Sequence, residues 1–345
     1  MFPYEFCKNI KQLREQTELP DHKYFYSKLA LQNISEEDYK HAQSVWKEFK
    51  CQNMLDYTKI YVISDTVLLA EVLQTFRRKI HCEFTLDPVH YISLPALAKD
   101  VMLKTTRCSL DMIHESKMCY FFKSGIRGGL SYVNTRKVCI DELEKATGEK
   151  YAILYTDTNS LYGCSMSRSL PIGDYRWLGP EEIQNFDFNR ISFDSAKGYA
   201  FEVTLDYPDH LHIDHNSYPL AAEHLVVEQG MLSPYAQSCL DELGLKFSKT
   251  KKLTATFGRR ERYICHGMNL KLYLELGMEL KEIHSGVEFT QGEYMKTFVD
   301  ICAKKRREAV TQMDSMIYKK LVNSVFGKVS FAIFLRFIII IINVG

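Results

Sequence analysis

Residues 151–162 read YAILYTDTNSLY, a short apolar and aromatic run of strand type that leads into Asp157 and then into a helix start at Asn159 or Ser160. A carboxylate fixed at the end of a strand, with backbone carbonyls beside it, can hold Mg²⁺ against triphosphate oxygens, because Mg²⁺ takes few protein ligands. The plain alternative is that Asp157 caps the helix that follows.

A second segment carries another kind of chemistry. Residues 317–328 read IYKKLVNSVFGK on a helix, and helical spacing places Lys305, Gln312, Lys319, Asn323 and Phe326 along one face. A core face would hold Leu and Val, and a merely solvated one would not align an aromatic ring with Lys319 and Asn323. Lysine supplies point charge to phosphates, asparagine bonds to a base or sugar edge, and a ring stacks on a base pair. A basic solvated helix is the alternative.

These segments need elements to position them. A helix begins after Ser35, with Asp38 three residues on, and a second covers residues 56–82, where Tyr57, Ile60, Tyr61, Val67, Leu68 and Leu73 form an apolar stripe. A short helical stretch covers residues 96–104, and Gly125, Gly128 and Gly129 mark a tight loop that places a domain junction nearby. Strands are predicted at 151–155, 200–205, 252–257, 262–265 and 281–289, a short helix at 269–277 ended by Gly277, and helical structure throughout 292–328. The fold class is mixed α/β (α+β).

Composition narrows the remaining options. Lys and Arg (44) nearly balance Asp and Glu (43), so any basic surface is local. The ten cysteines form no C-x-x-C pair, which argues against a structural zinc site and a disulfide scaffold and for a reducing compartment. The N-terminus lacks the apolar core of a signal peptide. The tail SFAIFLRFIIIIINVG is interrupted by Arg336 and is shorter than the roughly 20 residues that span a bilayer, so no membrane partner is expected and the tail reads as aberrant. His210, His212 and His215, with Asp209 and Asp214, lie in a Pro-flanked loop and are read as structural rather than as a metal site.

The two chemical segments resemble motif A (D-x-x-S-L-Y) and motif B (K-x-x-x-N-S-x-Y-G) of family B DNA polymerases, most closely the protein-primed branch of viruses, linear plasmids and Polinton/Maverick-type elements. The resemblance runs to Lys328. It implies a right-hand palm and fingers preceded by part of an RNase H-like 3′-to-5′ exonuclease domain: residues 1–120 exonuclease, 121–290 palm with an inserted subdomain, 291–328 fingers, and 329–345 outside the family pattern. Asp157, with the main-chain carbonyl of Thr158, becomes a ligand of a two-Mg²⁺ site. Ser160, Leu161 and Tyr162 line the incoming deoxynucleotide, with Tyr162 as the gate against a 2′-hydroxyl. Lys319 holds the triphosphate, Asn323 and Phe326 the nascent base pair, and Lys305 belongs to the same nucleotide-binding set.

The same resemblance makes Arg127, Gly128 and Gly129 a grip on template phosphate, with an ordinary glycine turn as the alternative. Tyr61 and Asp65 resemble the third exonuclease motif, Y-x-x-x-D. Implied partners are primer-template DNA, deoxynucleoside triphosphates and a terminal priming protein, and the implied place is the nucleus, with the mitochondrion second. Gly163 stands where a proline is common, and Phe326 where tyrosine is usual. Neither the D-x-E exonuclease motif nor the D-T-D-S of motif C occurs in these residues. With Asp157 alone, two ions cannot be held about 4 Å apart, so the chain as written is expected not to polymerise; a non-catalytic DNA-binding role is the other reading.

Overall fold

The computed structural model describes residues 2–133, 135, 137–246 and 249–327. The apolar tail therefore lies outside the described residues, as does Lys328 at the end of the expected fingers. The chain divides into two units, Met1–His90 and Tyr91–Gly345.

The first unit is helical. Helices α1 (Ile10–Glu15), α2 (Glu36–Glu48) and α3 (Met54–Phe84) surround a small core of Phe25, Ala42, Met54 and Tyr57. Helix α2 starts where the sequence predicts: Ser35 Oγ accepts from the Asp38 N–H at 3.1 Å and donates to the Asp38 carboxylate at 2.8 Å. Helix α3 covers the predicted span, but its stripe is not a core face. Tyr57 is buried, whereas Val67, Leu68 and Leu73 are exposed. Helical periodicity fixes which residues share a face, and only a neighbour decides whether that face is covered.

The second unit is built on a four-stranded antiparallel sheet. In chain order it contains α4 (Leu94–Thr106), α5 (Ser116–Ser124), α6 (Ile140–Thr147), α7 (Leu161–Met166), β1 (Leu170–Trp177), α8 (Pro180–Gln184), β2 (Lys197–Asp206), β3 (Glu223–Val226), α9 (Pro234–Glu242), β4 (Lys251–Thr254), β5 (Arg260–His266), α10 (Gly267–Glu275), β6 (Glu279–Gly292), α11 (Lys296–Glu308) and α12 (Gln312–Gly327). The strand order is β1-β6-β2-β5, and β3 and β4 form a separate two-stranded ribbon.

Strand β2 sits inside the sheet and is buried on both faces, as its near-continuous apolar sequence requires. Tyr199, Phe201, Val203 and Leu205 point to one core, with Leu270 and Tyr273 of α10. Ala200 points to the other, where Ile264, Val287 and Phe289 meet Met118, Phe121 and Phe122 of α5. Gly277 follows α10 at φ 98°, a left-handed backbone that suits glycine and turns the chain into β6.

Three differences from expectation stand out. Helices α4 and α5 belong with the second unit, so the chain divides at His90, well before the expected junction at residues 120–129. Their apolar faces explain it: α4 buries Leu97, Ala98, Val101 and Met102 and packs on α11 and α12, while α5 covers the sheet. Strands β1 and β3 went unpredicted; β1 carries bulge-like register shifts around Gly173, which blur its alternation. Finally, residues 151–155 form no strand. They are exposed, Tyr155 at 96%, because none of the described strands pairs with them.

Candidate nucleotide-binding site

Helix α7 is six residues long and is entered through Ser160, whose φ of 55° and ψ of 40° put a non-glycine residue in the left-handed region. The helix is seated on α11 and α12. Those two helices are separated by residues 309–311, so the single helical face expected from Lys305 to Phe326 is really two faces on two helices. Lys305, near the end of α11, lies over the Tyr318 ring of α12 at 5.8 Å.

On α12, Ile317, Tyr318, Leu321, Val322 and Val325 are buried, while Lys319 and Asn323 are exposed one turn apart. Phe326 is half-buried and meets Tyr162 of α7 in a stack, with ring centroids 4.4 Å apart and planes 27° off parallel. Tyr162 itself keeps 40% of its surface exposed. The two segments, far apart in sequence, thus meet ring to ring, and the helix that carries Phe326 also exposes Lys319 and Asn323.

Asp157 and Thr158 lie on the exposed, irregular segment that leads into α7, and Leu161 opens that helix 39% exposed. The strand expected to hold Asp157 is absent, so the carboxylate is tethered through the α7 turn alone. Asp157 would supply one carboxylate and Thr158 one carbonyl. Among the described residues no group of three or more His, Cys, Asp or Glu side chains is placed to hold a metal ion. These two donors suit an Mg²⁺ carried largely by nucleotide phosphates.

The other expected site residues have local duties. Arg127 turns inward: its Nη1 donates to the carbonyls of Gly125 at 3.1 Å and Ile264 at 2.6 Å, and its guanidinium lies 3.8 Å from the Tyr263 ring centroid. In this arrangement it ties the loop to β5 instead of facing a phosphate. Gly128 and Gly129 have open space where a side chain would be, so packing does not demand glycine there. In the first unit, Tyr61 and Asp65 do come together. The Tyr61 hydroxyl is 2.5 Å from that of Tyr4, and the bonds to Tyr4 and then to Asp65 push its pKa up.

Two of the three loop histidines pack against aromatic rings. His212 stacks on Phe257 with centroids 4.5 Å apart, and His215 Nδ1 pairs with the Tyr207 hydroxyl at 2.8 Å. No helix among the described residues is long and apolar enough to cross a membrane.

Over residues 1–343 the sequence matches the family of organellar and viral type B DNA polymerases, so the match runs past Lys328 and takes in most of the tail expected to lie outside the family pattern. The chain belongs to that family. No curated protein matches it. Among solved structures it is similar to the phi29 DNA polymerase in an orthorhombic crystal form, at 13% identity over 92% of this chain and 45% of that one, with a TM-score of 0.44. It is likewise similar to the phi29 enzyme complexed with primer-template DNA and incoming nucleotide substrates, at 13% identity over 94% and 47% of the two chains and a TM-score of 0.41. The phi29 enzyme complexed with single-stranded DNA matches at 15% identity over 92% and 44%, with a TM-score of 0.43. This type B polymerase chain therefore spans a little under half the length of the solved enzymes it matches.

Sequence reasoning missed two kinds of residue at the site. Val299 and Val322, which seat α7, look like any other core valines. Gly163 differs from the family pattern, but nothing in the sequence says what its missing side chain makes room for.

Proposed function

We propose that this chain binds a deoxynucleoside triphosphate, as its Mg²⁺ complex, on the surface formed by α7 and α12, as the nucleotide-binding part of a template-directed DNA polymerase. The observation that carries the reading is the Tyr162–Phe326 stack with Lys319 and Asn323 exposed on the same helix as Phe326. Sugar and base would rest against the rings, the triphosphate would run toward Lys319, and Asp157 with the Thr158 carbonyl would hold the nucleotide's Mg²⁺. When bound, Mg²⁺ neutralises charge on the phosphates undergoing transfer. Tyr162 would exclude a 2′-hydroxyl by its bulk. Primer-template DNA is the partner such a site requires, and a priming protein remains part of the same proposal.

Calorimetric titration with Mg²⁺·dATP is expected to show binding, and Lys319→Ala to weaken it about tenfold or more, since a charge-assisted hydrogen bond to phosphate contributes about 1.5–3 kcal/mol. Equal affinity in wild type and variant would remove Lys319 from the site.

A second reading, DNA binding without chemistry, is favoured by the exposed Arg306 and Arg307 in the last turn of α11. It predicts DNA affinity that falls steeply with salt and no nucleotide binding at all.

A further inference from the structure

Gly163 follows the ring that stacks on Phe326, and its backbone does not require glycine, because it is not among the positive-φ residues. Space is what it provides. A Cβ built there would lie 2.8 Å from Ser160 Oγ, 3.3 Å from Val299 Cγ1 on α11 and 3.7 Å from Val322 Cγ1 on α12. Ser160 cannot easily withdraw as a whole, since the left-handed turn at its own φ of 55° sets the entry into α7. Gly163 is buried, and the Ser167 hydroxyl donates to its carbonyl at 2.9 Å, closing the other end of this short helix.

We infer that Gly163 is the positioning residue of the sugar gate: the absence of a side chain lets α7 settle onto Val299 and Val322, and that seating sets the 4.4 Å spacing between Tyr162 and Phe326. The inference rests on the nucleotide-binding reading above. Its physical content is distance. A side chain at 163 requires Ser160 Oγ to rotate away and either Val299 or α7 to give by a few tenths of an ångström, and steric exclusion of a 2′-hydroxyl relaxes steeply when the excluding ring moves by that much. Helix α7 would remain folded, because alanine favours helix over glycine.

The test is the ratio of Mg²⁺·dATP to Mg²⁺·ATP affinity, measured by titration calorimetry on the full chain. Wild type is expected to prefer dATP. Gly163→Ala is expected to lower that preference about threefold and Gly163→Val about tenfold, while Val299→Ala placed in the Gly163→Ala background restores it. A merely structural glycine would lower the melting temperature and weaken both nucleotides together, leaving the ratio where it was; that result overturns the inference and leaves the nucleotide site standing. If wild type binds neither nucleotide, the site reading itself fails and the gate falls with it. Should Gly163→Val fail to fold, the alanine variant and its Val299→Ala rescue decide the matter alone.

Discussion

Replacing Arg260 by alanine is expected to cost the second unit about 3–5 kcal/mol, read as a shift in the urea midpoint with an unchanged slope. The side chain is fully buried at the start of β5. Its Nε donates to the Ala221 carbonyl at 2.7 Å, Nη1 to Gly258 at 2.5 Å and Nη2 to Thr256 at 2.7 Å, while Nη1 also pairs with Glu223 at 3.0 Å. Burial alone pulls the guanidinium pKa down, with Glu223 opposing that shift. Truncation would leave three carbonyls without this donor and one carboxylate without its cation, each costly once desolvated. Lysine should not rescue, because a single ammonium cannot reach three diverging carbonyls. The residues it ties together flank the β3–β4 ribbon, so a loss below about 1 kcal/mol would mean that the ribbon is held by its other contacts.

A second large effect is a dependence on pH between 4 and 6.5. His266 closes β5, is buried, and uses Nδ1 to accept from the Met268 N–H at the start of α10. Desolvation pushes its pKa down from 6.5 to about 4. Above pH 6.5 the ring is neutral in both folded and unfolded chains and contributes no slope. Below that value the unfolded chain takes up a proton that the folded chain refuses, so stability falls with falling pH by up to about 1.4 kcal/mol per unit until pH 4, about 3 kcal/mol in all. His266→Asn retains a capping acceptor without the titration and should flatten that slope. An unchanged slope in the variant would assign the acid sensitivity to other groups.

The sequence determined by itself what depends on local order. The Ser35 cap, the long helix α3 and the strands β2, β5 and β6 were all legible, because capping and periodicity act within a few residues. Tertiary structure decided everything that needs a partner. It left residues 151–155 unpaired and Val67, Leu68 and Leu73 exposed, drew α4 and α5 into the second unit, and turned Arg127 inward onto Tyr263. It also brought Tyr162 onto Phe326 and packed Gly163 against Val299 and Val322. A strand, a buried face and a close approach are each properties of two surfaces, and a sequence displays only one of them at a time.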